Sequence, residues 1–596
     1  MEDIMKKRHS LSHALAAAVL ELYPDAKPTI GPATDTGFYY DFDFGNNAGQ
    51  NVTNEEKVED KRPSEKDLPK IEKKMRAILS SWDTFNKKEV SVKEATDFFK
   101  DNQYKKELIE GIQESGETIT LYTSGSFTDL CRGGHVDTAK AISPDSFKLS
   151  SIAGAYWRGD EKNTMLTRIY GIAFDTKDEL DAHLVQQEEA LKRDHRKLGR
   201  ELDLFTFSEL VGSGLPLFTP RGTAMRQAII NRIYDIQKRF HYEEVWIPHI
   251  TKKELYMTSG HWDKFGEELF KVTGRESEFV LKPMNCPHHT QIFASRPRSY
   301  KELPVRFTEA TTVYRDEQGG ELLGLSRVRS ITQDDGHIFC TPEQMRDEIL
   351  AIISIIGDFY KGLGMFEKGA FRTTLSVRDP EHKDKYLGSD DIWKLAENTL
   401  TEIAESERLP YTIEEGEAAF YGPKLDFKFK DAIGREWQLA TVQLDFAMPD
   451  RFGLEYTDKD GTRKTPVMIH RAIAGALERF LSVIIEHFAG NFPLWLAPEQ
   501  VRIIPIDTEK HIDFAQEVYI LLSQKNMRVT LDTNKDSFGK RVRSAKDLKV
   551  SYFVIIGDAE LENKKITVES RDKGKVGEME PNAFLDSLLE EIDFKN

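Results

Sequence analysis

Cysteine is nearly absent from this chain, whose 596 residues include only Cys131, Cys286 and Cys340. So few thiols cannot build a disulfide framework, and two of them lie in histidine-rich stretches that favour the reduced form, so a reducing cytoplasmic setting is expected. Long apolar runs are missing too. No stretch approaches the roughly 20 residues that cross a bilayer, and the polar start MEDIMKKRHSLSH is not a secretory signal, so a soluble protein without a membrane partner is expected. Nor is there an excess of positive charge. The net charge is −17, with 31% of residues charged, which excludes bulk polyanion binding and leaves any nucleic acid to meet local basic patches. Internal repeats are likewise missing.

What is present is length and alternation, enough for several domains. Residues 1–174 combine the amphipathic HSLSHALAAAVLELY with strand-like runs such as TITLY and FYYDFDF, which predicts an α+β module. Within it, Gly45 to Lys70 is polar and poor in large apolar residues, the composition of an exposed loop or insertion. Residues 175–200 keep Leu180, Leu184 and Leu191 at helical spacing amid dense charge and predict a solvated helical linker. Residues 201–497 alternate helices with strands such as VRFTEATTVYR and EWQLATVQLDFA, the proportions of one large α+β domain. Residues 498–596, with VRIIPI and YFVIIG, predict a small α/β domain.

The sharpest chemistry lies in the central domain. VYRDE, the Gly-rich turn QGGELLGLSRVRS and the strand ITQDDGHIF place Arg315, Glu317 and Arg327 around one cleft. Arginine suits phosphate because its planar fork donates two parallel hydrogen bonds and stays charged; a glutamate beside it can accept from an exocyclic amine. Downstream, HRAIAGALERF supplies Ala472, Ala474 and Gly475 at a strand-to-helix junction, where small residues permit close backbone approach, and then Arg479. A single arginine is more often a surface charge, but the joint pattern has few competing explanations. Cys286 in LKPMNCPHH, His337 after TQDD, and His470 add one soft sulfur and two imidazoles. That set suits zinc and leaves a fourth position open, as in catalytic sites.

These stretches together resemble the class II aminoacyl-tRNA synthetases, and specifically their threonyl branch. YEEVWIPHI with Pro248 is similar to the dimer-forming first motif, YRDE to TQDDGHIF to the second, and HRAIAGALERF to the third. The resemblance covers almost the whole chain and implies an α+β multidomain homodimer. Its catalytic core would be an antiparallel sheet rather than a Rossmann fold, with an N-terminal editing domain and a C-terminal anticodon-binding domain. It implies that Arg315 and Arg479 bind the α- and γ-phosphate regions of ATP, which carries Mg²⁺, that Glu317 contacts adenine, and that Arg327 and Gln438 assist. One Zn²⁺ per subunit on Cys286, His337 and His470 would take the amine and hydroxyl of L-threonine, with Met284, Gln333, Asp335 and Tyr421 shaping the pocket. Ile331 departs from the family's usual adenine-stacking phenylalanine, so altered packing on the ring is expected. His261 in TSGHWDKF matches the histidine that helps deprotonate the terminal ribose of tRNA, a role suited to an imidazole titrating near neutrality; the plain alternative is a surface-loop histidine.

A site built around a hydroxyl contact rejects isosteric valine by about 10⁴ to 10⁵, but serine offers the same contact and passes. A second sieve is therefore required. His9 and His13 lie four apart, as do Cys131 and His135 in DLCRGGHV, so the two pairs could converge. Taken alone they suggest another zinc site or a packed helix face. The resemblance instead implies the deacylation site shared with alanyl enzymes, hydrolysing seryl-tRNA by water without an obligatory metal, with Tyr40, Lys105 and Asp129 as further positions. CRGGH replaces the commoner CRGPH, which should loosen the loop. In the final domain Asn534, Lys540, Arg541 and Arg571 are the expected anticodon contacts for tRNA(Thr). The ubiquitin-like domain that often opens family members is expected to be absent, since His9 is almost at the start. Two other readings remain open: a catalytically inactive synthetase-like RNA-binding regulator, and a free-standing deacylase with a relic core. Intact Arg315, Arg479 and zinc donors argue against both.

Overall fold

A computed structural model of the chain describes residues 2–45, 62–275 and 277–593. Two compact units emerge, Met1–Glu188 and Glu189–Asn596.

In the first unit, α1 (Glu2–Leu22) buries Leu11, Leu15 and Val19 against β1 (Gly37–Asp43) and α2 (Leu68–Ser81). The two-residue period of FYYDFDF sends Phe38, Tyr40 and Phe42 into that core. Asn102 caps α3 (Gln103–Glu114), accepting from the Lys105 N–H, and the helix turns Lys105 inward, 1% exposed. Next come the hairpin β2 (Thr120–Ser124) and β3 (Phe127–Leu130), then β4 (Phe147–Tyr156) and β5 (Met165–Ala173). The main sheet runs Lys27–Pro28, β1, β5, β4 and is antiparallel throughout. Of the loop expected from Gly45 to Lys70, residues 46–61 lie outside the described residues. Its last part is not loop: Leu68 opens α2 and is buried.

The solvated linker expected over 175–200 is two helices. α4 (Lys177–Arg193) leaves Leu191 71% exposed. Asp194 then adopts non-helical angles and accepts from the Arg196 N–H, starting α5 (His195–Glu201). An aspartate that competes for backbone N–H groups ends one helix and caps the next. His195 and Leu198 on α5 are buried.

The second unit is built on an eight-stranded sheet. In chain order its parts are α6 (Pro220–Lys238), β6 (Glu243–Glu244), α7 (His261–Phe265), α8 (Cys286–Ala294), β7 (Val305–Tyr314) and β8 (Ser330–Cys340). There follow α9 (Met345–Lys361), β9 (Phe371–Val377), β10 (Tyr411–Glu415), β11 (Lys424–Lys430), β12 (Glu436–Asp445), β13 (Val467–Ala472) and α10 (Leu477–His487). The spatial order is β6-β7-β8-β13-β12-β11-β9-β10. Pairing is antiparallel across the middle and parallel only at the two edge strands. Ile229 of α6, Ile352 of α9 and Phe480 of α10 share one apolar core with Leu425, Val442 and Ile469 of the sheet. The C-terminal part carries β14 (Val501–Pro505), β15 (Val529–Leu531), α11 (Phe538–Asp547), β16 (Tyr552–Ile556), β17 (Ile566–Ser570) and β18 (Gly574–Met579). These strands form a mixed sheet in the order β15-β14-β16-β17-β18.

Register in the central strands is held by a buried ion pair. Arg471 on β13, 1% exposed, donates to Asp334 at 2.6 Å and to the Thr308 hydroxyl at 2.5 Å, while Asp334 also accepts from the N–H groups of Ile473 and Ala474. Gly336 must be glycine, because a Cβ there would lie 2.4 Å from the Arg471 Nε. Asp334→Ala strands the Arg471 charge in the core, and urea unfolding is expected to show a loss of about 3 to 5 kcal/mol. A loss below about 1 kcal/mol would mean that the apolar core alone sets the register.

Candidate functional site

Period two along β8 places Ile331, Gln333, Asp335 and His337 on one face, with Asp334 on the other. The pairing sets His337 opposite His470 on β13, and His470 opposite Gln443 on β12. Cys286 approaches from the N-terminus of α8. Donor atoms of Cys286, His337 and His470 all lie within 4.8 Å of one another, and all three residues are buried. Asp445 engages Nε2 of His470 at 2.9 Å, and His289 meets Nδ1 of His337 at 2.7 Å. A carboxylate behind a ligating imidazole is a recurrent way of fixing its orientation at a metal. In the metal-free protein, burial pushes the Cys286 thiol well up and His337 well down. One sulfur and two imidazoles at this spacing fit zinc with one position open.

Around this cluster sit the expected pocket residues. Tyr421 stacks on His470 with centroids 4.9 Å apart, and its hydroxyl donates to Gln443 at 2.6 Å. Asp335 accepts from the Asn285 amide at 3.0 Å, and the Gln333 Oε1 is buried without a partner. Met284 presents its sulfur to Arg315 at 3.3 Å. Lys282 was not anticipated. It is 0% exposed, donates to Thr311 at 2.8 Å, and burial lowers its pKa to about 8.

Gln333 also lines an adjoining cavity of about 280 Å³, together with Arg315, Glu317, Arg327, Gln438 and Arg479. Arg315, just past the end of β7, Arg327 in the turn before β8 and Arg479 on α10 therefore do meet. They are not equivalent. Arg327 is neutralised by Glu317 at 2.6 Å and Glu321 at 2.9 Å. Arg315 has no carboxylate partner among the described residues; its Nε is buried and unsatisfied, and it packs over Phe265. Among the described residues, Arg479 donates only to the Ser326 carbonyl. Burial destabilises both of these cations, which makes the cavity receptive to an anion. Ile331 lines the same cavity. Gly475, at φ 64, brings the backbone so close to the Leu439 carbonyl that a Cβ would lie 2.8 Å from it. A bulge in β12 at Leu439 leaves Gln438 facing the cavity and donating to Asp426 at 2.7 Å.

His261 departs from expectation. It is no surface-loop residue but 2% exposed at the start of α7, with Nδ1 on Ser259 at 2.8 Å and Nε2 3.7 Å from the Cys286 sulfur. Nor does it titrate near neutrality, since burial lowers its pKa to about 3. The ring is therefore neutral at pH 7.

In the first unit, α1 sets His9 and His13 one turn apart, and the loop after β3 returns Cys131 and His135 to them. All four have donor atoms within 4.8 Å of one another. Cys131 lies 3.5 Å from Nε2 of His9 and 3.3 Å from Nε2 of His135, and Ser10 engages Nδ1 of His135 at 3.2 Å. Burial lowers all three imidazoles, His135 to about 2. A cavity of about 890 Å³ is lined by His9, His13, Lys105, Asp129 and Cys131. Tyr40 does not line it; it is 0% exposed, donates to Asp129, and stands behind the Lys105–Asp129 ion pair of 2.5 Å. The loop is not merely loosened by its second glycine: Gly134 has φ 84, which proline cannot adopt.

The C-terminal candidates split. Asn534 and Lys540 are exposed. Arg541 is 3% exposed and donates to the carbonyls of Asp532 and Ile506. Arg571 donates to the carbonyls of Phe492 and Lys549. Both expected anticodon contacts are therefore corrected to structural cross-links, because orphan carbonyls at element ends claim their guanidinium donors.

Comparison with known proteins bears on both sites. Residues 270–488 match the family described as tRNA synthetase class II core domain (G, H, P, S and T), residues 500–591 the anticodon binding domain, and residues 119–170 the threonyl and alanyl tRNA synthetase second additional domain. The chain is similar to the threonine–tRNA ligase of Cytophaga hutchinsonii, 48% identical over 98% of this chain and 88% of that one. It is also similar to that of Gloeobacter violaceus, 46% identical over 99% and 93%. Among solved structures it resembles the RNA binding domain of threonyl-tRNA synthetase from Cryptosporidium parvum Iowa II, with a TM-score of 0.63, 35% identity, and coverage of 66% of this chain and 98% of that one.

Burial and the nearby Asp129 charge set the Cys131 thiol at about 11. In chelator-treated protein its alkylation should therefore be slow at about pH 8 and should rise about tenfold per pH unit up to that value. Peptide mass spectrometry showing a plateau near the ordinary cysteine pKa, about 8.5, would contradict the burial argument.

Proposed function

The chain belongs to the threonine–tRNA ligase family of class II aminoacyl-tRNA synthetases, which charge tRNA with threonine, and it carries the editing-type domain on the same chain; from that premise we propose how its residues share the work. The observation that carries the proposal is that Arg315 and Arg479 line one cavity with Gln333, which shares a face of β8 with His337 of the Cys286, His337 and His470 cluster. Residues 1–174 edit, 175–200 link, 201–497 catalyse and 498–596 bind the anticodon of tRNA(Thr). The enzyme works as a cytoplasmic homodimer. Trp246, 76% exposed, and Ile250, 49% exposed, on either side of Pro248, supply an apolar surface for the partner copy.

Arg315 holds the α-phosphate region of ATP and Arg479 the γ-phosphate, with Mg²⁺ arriving on the nucleotide. Glu317 accepts from the adenine amine, while Arg327 and Gln438 line its approach. Met284, Gln333, Asp335 and Tyr421 enclose L-threonine, the Asp335 carboxylate facing its amine. Cys286, His337 and His470 would hold zinc, which when bound supplies a Lewis-acid contact that separates a hydroxyl from a methyl. The threonine carboxylate attacks the α-phosphorus and pyrophosphate leaves, a step governed by position and charge neutralisation. His261, its Nδ1 held by Ser259, would accept at Nε2 the proton of the tRNA terminal ribose as that hydroxyl attacks the adenylate. Seryl-tRNA is hydrolysed in the cavity lined by His9, His13 and Cys131, with His135 beside them, where Lys105 and Asp129 orient the substrate end. The inactive-regulator reading would leave the buried, unsatisfied Arg315 without purpose.

Cys286→Ser is expected to lower bound zinc from about one ion per subunit to near zero and to abolish threonine-dependent pyrophosphate exchange while ATP still binds. Elemental analysis that finds an active wild-type preparation without zinc would refute the assignment. A separate test concerns editing. His13→Ala combined with Cys131→Ala should leave threonine charging intact while seryl-tRNA accumulates, and unchanged clearance of seryl-tRNA would reassign the pocket.

A further inference from the structure

His195 begins α5, in the stretch whose sequence reads only as a solvated linker, yet it is 4% exposed and all its hydrogen-bonding atoms are engaged. Its backbone N–H and its Nδ1 both meet the Glu486 Oε1 of α10, at 3.0 and 2.7 Å. Its Nε2 accepts from the backbone N–H of Leu325 at 3.0 Å. An acceptor at Nε2 requires the proton to sit on Nδ1, where it is donated to Glu486, so one tautomer serves both contacts. Glu486 is in turn bonded by Arg435, at the turn that leads into β12.

Leu325 belongs to the turn that carries Arg327. The turn closes on itself through Leu323 N–H to Arg327 O and Arg327 N–H to Leu323 O. It is tied to α10 by Ser326 Oγ to Ser482 Oγ at 3.0 Å and by Arg479 Nε to the Ser326 carbonyl at 3.2 Å. Gly324, at φ 50, passes so close to the imidazole that a Cβ there would lie 2.2 Å from Nε2. Leu325, Ser326, Arg327 and Arg479 all line the cavity that also holds Arg315.

We propose that His195 is a positioning residue for ATP: it clamps the Leu323–Arg327 turn onto α10, fixing Arg327 and Arg479 relative to each other before the nucleotide arrives. The inference rests on the reading of this cavity as the ATP site and assigns it a support on a helix that does not line it. Preorganised donors stabilise charge only when they need not be rearranged on binding, and the Leu325 N–H has His195 as its acceptor.

The test compares three substitutions. His195→Gln keeps an acceptor near the position of Nε2, His195→Asn keeps only a group near Nδ1, and His195→Leu keeps neither. In threonine-dependent pyrophosphate exchange, Asn and Leu should raise the KM for ATP about tenfold, the scale of one buried hydrogen bond, and Gln should stay within about threefold of wild type. The KM for threonine should not move in any of them, nor should hydrolysis of seryl-tRNA. Equal effects of Gln and Asn, or parallel shifts in both KM values, would overturn the proposal. So would a failure of all three variants to fold, which would leave His195 a plain structural residue. Wild-type protein that shows no exchange would count against the proposed activity instead, and ATP binding by calorimetry would then read the same Gln-against-Asn difference directly.

Discussion

The register of three strands, with His337 opposite His470 and His470 opposite Gln443, is the constraint on which the second unit depends. A slip of one residue would turn every side chain to the other face, sending Asp335 and His337 into the apolar core and Asp334 into the pocket. The Arg471–Asp334 pair, read from the opposite face, makes the slip costly because it would strand a buried guanidinium. Chemistry on one face of the sheet is thus held by electrostatics on the other.

The two clusters of histidine and cysteine donors are built to different ends. The Cys286 cluster has three donors backed by Asp445 and His289 and adjoins a cavity with carboxylate-free arginines. The His9 cluster opens on a wider cavity whose nearest charges, Lys105 and Asp129, neutralise each other. The first arrangement favours a ligand with phosphate and a hydroxyl. The second favours water acting on a neutral ester.

Arginine shows how little a residue type says about its use. Arg315 and Arg479 lack carboxylate partners among the described residues and face a cavity, Arg471 is locked in a buried pair, and Arg541 and Arg571 close orphan carbonyls. Only the count of acceptors within reach separates a ligand-binding guanidinium from a structural one.

The sequence by itself determined the alternation that places Gln333, Asp335 and His337 on one face and the helical spacing of His9 and His13, because these follow from local periods of two and of 3.6 residues. It also determined the family, since long stretches such as HRAIAGALERF carry many constraints at once. Only the tertiary structure decided that His261 is buried, that Tyr40 stands behind its pocket, that Arg541 and Arg571 face inward, and that Asp194 breaks the linker so that His195 can reach Leu325. The physical reason is distance along the chain. Burial and hydrogen-bond partnership come from segments far apart in sequence, and no local pattern records which carbonyl, carboxylate or backbone N–H will be waiting there.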